Sequence, residues 1–375
     1  MGDDAQILSL ARALGWPFEV KRLAYRRLGR VIDVWRGSNR LGVHVGRSSA
    51  LRPPWPDLVL SASMRNEPIC RWVRRQSGGR TRYVHIGKPW ARVPAFDLVI
   101  AGPEYWWLPA GSNVVRNACS LHDVRAASLA EAARLWAPSV AHLRRPRIAL
   151  LVGGYAGPYP FDRANAMRLG REASAFARRQ GGSLLVTTSA RTSASAIEGL
   201  LASIDVPHVL HRWQRGGEAN PYLGFLGLAD SIIVTSDSTS MLAEACATGK
   251  PVSIFDLAVD AVGRGRTCIE GDERRARTRP WARVNRDRTL AFFYRNVLLR
   301  FAPTKIKRDI GRVHESLIAS GHAVWFGDPA PDRMPPPLDP LPRSVERVRR
   351  LFSGGRTPIE EVDAERALVQ MRVVR

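Results

Sequence analysis

Nowhere in the 375 residues is there a run of about 18 apolar residues, so no membrane-spanning helix is expected. The opening Met1-Gly2-Asp3-Asp4 has neither a basic nor an apolar region, which argues against a secretory leader. Cysteine is scarce. Cys70, Cys119, Cys246 and Cys268 stand far apart without C-x-x-C spacing, so they read as small buried residues in a reducing compartment, not as a zinc site or a disulfide framework. Acidic residues are outnumbered, 34 Asp and Glu against 57 Lys and Arg, for a net charge of +23. Such a field attracts phosphate, anionic lipid headgroups or nucleic acid, and a solvated arginine-rich surface accounts for it equally well. No RNP-like aromatic pattern, zinc finger or helix-turn-helix accompanies the charge, so nucleic acid is not the expected partner. A P-loop, a G-x-S-x-G elbow, an H-E-x-x-H helix, a Tyr-x-x-x-Lys pair and an Asp-x-Asp metal motif are all missing. No metal site and no cofactor are therefore expected. The expected location is cytoplasmic, with the basic charge allowing a peripheral place at the inner face of a membrane.

What is present is an α/β pattern. Apolar residues make up 45% of the chain, enough for a sizeable core, and the length suits two domains. Short apolar runs alternate with helical periodicity, as parallel βα units do. Strands are predicted over 58–60, 81–86 and 97–101, with a fourth at 114–115 and a helix over 68–76 between the first two. A helix over 128–136 and an arginine-rich linker over 138–146 precede a second series. That series has strands over 147–152, 183–187, 208–211, 231–234 and 252–255, and helices over 162–180, 193–203 and 239–248. The expected domains are 1–145, 146–330, and an extension over 331–375; the Pro-rich stretch 328–342 is expected to run extended over the surface and the basic remainder 343–375 to be weakly helical. The fold class is thus two Rossmann-like doubly wound domains with a cleft between them.

The strongest functional signal is the strand Ser231-Ile232-Ile233-Val234, which empties into Thr235-Ser236-Asp237-Ser238-Thr239-Ser240 before the helix Met241-Leu242-Ala243-Glu244-Ala245. Unpaired N–H groups and the positive dipole end at a helix start make an anion site. The hydroxyls add donors, and Glu244, one turn in, can accept from ribose hydroxyls. The alternative is that Ser238 or Ser240 is merely an N-cap and Glu244 its capping partner. A second signal is Gly153-Gly154 after the strand 147–152, where glycine permits close backbone approach to a diphosphate. Beside it in a doubly wound sheet would lie Thr188, Ser189 and Arg191, the last able to pair with phosphate or simply to be solvated. A third is His85-Ile86-Gly87-Lys88-Pro89-Trp90. Lys88 can reach phosphate and Trp90 can stack on a sugar or base; the alternative is a plain turn with Trp90 in the core. His122 is a candidate base, and a lone histidine is more often structural.

The loop and helix at 235–245 resemble the donor-binding strand-loop-helix of GT-B glycosyltransferases, such as the lipid-carrier N-acetylglucosamine transferases of peptidoglycan synthesis. More of the chain resembles the mitochondrial-fission "elongated mitochondria" family and its bacterial relatives. The residues carrying this are Gly2-Asp3-Asp4-Ala5-Gln6, Ala13-Leu14-Gly15-Trp16-Pro17-Phe18-Glu19-Val20-Lys21, Val84-His85-Ile86-Gly87-Lys88-Pro89-Trp90 and Phe96-Asp97-Leu98-Val99. Leu121-His122, Asn220-Pro221-Tyr222, the Ser/Thr loop and Arg312-Val313-His314-Glu315-Ser316-Leu317 complete the match, spanning 2 to about 328 in the family's order. In that family a short strand precedes the Gly-Asp-Asn-Ala-Gln stretch. Here Met1 abuts it and Asp4 stands for the asparagine, so a first domain with an open sheet edge is expected.

The resemblance implies a GT-B-like fold binding a nucleotide-sugar or related phosphorylated ligand, with metal-independent glycosyl transfer as the activity to consider and no catalytic residue beyond His122 to nominate. Its alternative implication is a non-catalytic scaffold that recruits a partner at an anionic membrane surface. Neither the nucleotide, the sugar nor the oligomeric state is readable from the residues.

Overall fold

The computed structural model describes residues 2–26, 37–154, 161–216, 219–257 and 308–353. Cys268 and the expected basic tail beyond 353 lie outside these residues. The chain divides into two compact units, one taking residues up to Asp123 and again from Asp339, the other Val124–Leu338.

The first unit is built on a four-stranded parallel sheet, β1 (Leu58–Ala62), β2 (Arg82–Ile86), β3 (Leu98–Ala101) and β4 (Val114–Arg116), paired in that order. Alternate residues of these strands serve opposite faces, as the period of two requires. Leu58, Leu60, Val84, Ile86, Leu98 and Ile100 pack with Ile7, Leu10 and Leu14 of α1 (Gly2–Leu14). Val59, Tyr83 and Val99 pack instead with Cys70 and Val73 of α2 (Glu67–Gln76). Pro68 starts α2 where a missing N–H costs nothing, and Gly78 and Gly79, at φ of 65° and 82°, end it. Among the described residues β1 pairs only with β2 and so forms the sheet edge.

The second unit is a six-stranded parallel sheet. Its strands are β5 (Arg147–Val152), β6 (Ser183–Thr188), β7 (His208–His211), β8 (Ser231–Thr235), β9 (Val252–Phe255) and β10 (Val324–Trp325). The order is β10-β9-β8-β5-β6-β7, the doubly wound Rossmann order with its reversal between β5 and β8. On one face Ile148, Leu150, Leu184 and Val186 meet Ala166, Leu169 and Ala173 of α4 (Arg163–Arg179) and Ala196 and Leu200 of α5 (Ala194–Leu201). On the other, Leu185 joins Val140, Phe225 and Leu228 beside α3 (Ala126–Trp136) and α6 (Tyr222–Leu228). Two shorter helices, α7 (Thr239–Cys246) and α8 (Gly311–Ala319), follow β8 and precede β10. The fold class is therefore α/β with two Rossmann-like doubly wound units. Cys70, Cys119 and Cys246 are buried thiols.

The division falls at 123/124, whereas the sequence suggested 145/146. The difference is α3, which joins the second unit because Gly224 and Gly227 of α6 let it approach closely. A Cβ at Gly224 would overlap the Trp136 ring, and one at Gly227 would press on the Leu129 carbonyl. The weak helicity expected beyond Arg343 is present, but it starts two residues earlier and is part of a core. Residues 341–350 form α9 (Leu341–Arg350), whose Leu341 and Val348 enter the first core beside α1. Asn117 Nδ2 donates to Ser344 Oγ at 2.9 Å, and Arg349 donates to the Leu14 carbonyl at the end of α1. Two apolar residues seven apart are easily hidden among the arginines of this segment.

Candidate functional site

At the reversal between β5 and β8 the two chains leave the sheet toward opposite sides, opening a crevice at the strands' carboxyl ends. Gly153 and Gly154 emerge from β5 there, and the Ser/Thr loop emerges from β8. The structure joins them directly. Gly153 N–H donates to Thr235 Oγ1 and Gly154 N–H to Asp237 Oδ2, both at 2.8 Å. From the β6 side, Ser189 Oγ donates to the Gly153 carbonyl at 2.9 Å, and the Thr192 hydroxyl bonds the same oxygen. Arg191 reaches Asp237 Oδ2 at 3.3 Å. Neither glycine tolerates a side chain: a Cβ on Gly153 would overlap the Asp237 carboxylate, and one on Gly154 the Arg191 backbone.

The rest of the loop is held from behind. Ser236 Oγ accepts from Leu257 N–H at 3.1 Å, and the His314 ring donates to the Ser236 carbonyl at 2.8 Å. Burial pushes His314 down to about 4, so a neutral ring holds this bond. Arg308 donates to Thr239 Oγ1 at 3.0 Å, placing a guanidinium at the first residue of α7. The sequence alone assigns no role to Arg308 or His314; the signal is position, His314 within the matched Arg312-Val313-His314 segment and Arg308 four residues before it.

The capping alternative for α7 does not hold. Asp162 and Ser193 cap α4 and α5 through their side chains, whereas Ser238, the N-cap of α7, makes no such bond. Glu244 is no capping partner either, because its carboxylate accepts from the Tyr222 hydroxyl. Among the described residues, then, no side chain satisfies the first-turn N–H groups of α7.

Two carboxyls here are displaced from their ordinary range. Burial pushes Asp237 up to about 6, against the lowering effects of Gly154 N–H, the Thr235 hydroxyl and Arg191. Burial likewise raises Glu244 to about 7, with the Tyr222 hydroxyl opposing. Asp237 Oδ1 is buried and makes no hydrogen bond of good geometry.

The candidates thus separate into groups. Gly153, Gly154, Ser189, Arg191, Thr235 and Asp237 form one network. Ser236, Ser238, Thr239, Ser240 and Glu244 follow on the adjoining loop and helix. Thr188 turns away to accept from Trp213 N–H at 3.0 Å. Lys88 and His122 belong to the first unit. There the Lys88 carbonyl accepts from the His85 ring at 2.9 Å, and Glu67 accepts from the Trp90 and Ala91 amides. Trp90 is 38% exposed, which corrects the reading that put it in the core; His122 is buried. Among the described residues no cluster of His, Cys, Asp and Glu can hold a metal ion, and no helix is long and apolar enough to cross a membrane.

A family model described as mitochondrial fission ELM1 matches residues 1–293. The mitochondrial fission protein ELM1 of Arabidopsis thaliana is 27% identical over 220 residues, covering 53% of this chain and 51% of its own, so the chain spans about half the length of that relative. Among solved structures, the UDP-GlcNAc 2-epimerase of Neisseria meningitidis bound to UDP-GlcNAc gives a TM-score of 0.43 at 13% identity, over 80% of this chain and 77% of that one. A glycosyltransferase of Rickettsia africae gives 0.40 at 11% identity, over 80% and 78%. The MurG protein of Acinetobacter baumannii gives 0.34 at 11% identity, over 78% and 73%.

Proposed function

As the chain belongs to the mitochondrial fission ELM1 family, we propose that its second unit binds a nucleotide-sugar or related phosphorylated ligand at the crevice between β5 and β8. The observation carrying this reading is the uncapped start of α7 at the strand-order reversal, with Arg308 on Thr239 and Arg191 nearby. Free first-turn amides, the helix dipole and a guanidinium form a donor set for phosphate oxygens. Glu244, oriented by Tyr222, is the acceptor for a ribose hydroxyl. In glycosyl transfer the same donors would stabilise a departing diphosphate without a metal. A second reading, left open by family membership, is a non-catalytic scaffold working at an anionic membrane surface.

Thermal-shift screening with UDP, GDP, ADP and their sugars tests the ligand reading. A ligand at about 100 times its dissociation constant stabilises the fold by about 2.7 kcal/mol. Ser238→Ala combined with Glu244→Ala is expected to abolish the shift while the protein stays folded. If none of these nucleotides shifts the transition, the ligand reading is lost. Sedimentation with anionic vesicles then becomes the deciting measurement for the scaffold.

A further inference from the structure

The two donors that the glycine turn and the β6 loop offer to a phosphate are already engaged. Gly154 N–H and the Arg191 guanidinium both go to a single oxygen of Asp237, 83 residues away from the turn. We propose that Asp237 is the resident anion of this site, its carboxylate standing where an entering phosphate would stand, so that the ligand gains Arg191 and Gly154 N–H only by displacing it. This rests on the phosphorylated-ligand reading above.

Three observations support the exchange. First, the overlap a Gly153 Cβ would suffer is with the carboxylate itself, so the close approach that glycine allows is already used by an internal anion. Carboxylate and phosphate oxygens present the same acceptor to an N–H and a guanidinium. Second, Asp237 is incompletely served: its side chain is fully buried, yet Oδ1 makes no good hydrogen bond. A buried charge so held is costly to maintain. Third, the Arg191 side chain is 46% exposed, so it can turn from Asp237 to a solute without being unburied.

Proton uptake should follow. A phosphate beside an ionised Asp237 would set two anions against the same donors, and protonating the carboxyl removes the conflict. The charged or titratable groups on the surrounding elements include Arg191 from the β6 loop, Glu244 on α7, Asp256 after β9, Arg308 and Asp309 ahead of α8, and His314 on α8. His314 is held neutral, so the carboxyls of the site that change charge near neutrality are Asp237, raised to about 6, and Glu244, raised to about 7, and the loss of uptake in Asp237→Asn assigns the proton.

Calorimetry with UDP-, GDP- and ADP-glucose tests this, because their diester phosphates keep their charge between about pH 5 and 8. For whichever sugar nucleotide binds, the wild-type dissociation constant should fall about twentyfold from pH 7.5 to 5.5, the response to one proton taken up by a group near pH 6. Heats in two buffers of different ionisation enthalpy should report uptake of about one proton at pH 7.5. Asp237→Asn, which keeps an acceptor for Gly154 N–H, should bind more tightly than wild type at pH 7.5 and lose the pH dependence. Wild-type binding that is flat with pH and takes up no proton would make Asp237 a structural clamp and overturn the proposal. Weaker binding by a folded Asp237→Asn would do the same, and if that variant does not fold, the proton count on Glu244→Gln decides, because Asp237 is then the site carboxyl left to take up a proton near neutrality. Failure of all three sugars to bind either protein removes the ligand reading itself, and this inference with it.

Discussion

Gly153 and Gly154 meet their neighbours at distances that leave no space for a methyl group, whereas Gly46 has nothing within 4 Å of where its Cβ would lie. Gly154→Ala should therefore cost about 1 to 3 kcal/mol through overpacking. Gly46→Ala should be neutral or stabilise by up to about 1 kcal/mol through the unfolded chain. Urea midpoints compare the two, and equal midpoints would show that the turn relaxes. Glu244 carries a pH signature of definite sign. Its carboxyl is raised from 4.5 to about 7 in the folded protein, so the folded state holds the proton more firmly than the unfolded chain. The associated stability is fully present below 4.5 and is lost as pH rises through 7. Glu244→Gln should accordingly gain on wild type from pH 5 to 8, by about 1 to 2 kcal/mol once partial solvent access is allowed for. A gap that narrows over that range would mean that Tyr222 stabilises the ionised form more than burial opposes it. At this scale the Ser/Thr loop was legible because hydroxyls crowd one helix start. The partner of Asp237 was not, since a contact across 83 residues leaves no local pattern.

At the level of elements, α7 separates capping from ligand binding. A serine working as an N-cap loses about 0.5 to 2 kcal/mol when replaced by alanine. Ser238 makes no capping bond, so Ser238→Ala should change stability by less than about 0.5 kcal/mol. Ser193→Ala, which removes the bond to Ala196 N–H at the start of α5, should show the full capping cost. Chemical denaturation of the two variants side by side gives the comparison, and equal losses would restore the capping account. Strands were read well because they are short apolar runs bounded by turns: β5 came out as predicted over 147–152, and β4 added one residue to the expected pair. Helix allegiance was harder to read. The partner of α3 depends on the glycines of α6, about ninety residues later, and no periodicity in 126–136 announces them.

For the whole molecule, the informative departure is the return of the chain to the first unit after the second is complete. An arginine-dense stretch reads as solvated tail, and the excess of 57 basic over 34 acidic residues encourages that reading everywhere. In α9 the arginines line the outside of a helix whose Leu341 and Val348 are part of the first core. Ending the chain at Leu338 would expose the surface those two side chains cover, each worth about 1.5 to 3 kcal/mol when fully buried. It would also leave the buried Asn117 without Ser344, a loss of about 1 to 3 kcal/mol for an unsatisfied amide. The sum is comparable to the stability of an entire small domain. Hydrogen exchange of the truncated chain should therefore show β1 to β4 losing protection by orders of magnitude while β5 to β9 keep theirs, since among the described residues no strand of the second sheet pairs with the first. Uniform loss across both sheets would mean that the two units unfold as one, and unchanged protection in β1 to β4 would reduce α9 to the surface extension its composition suggests.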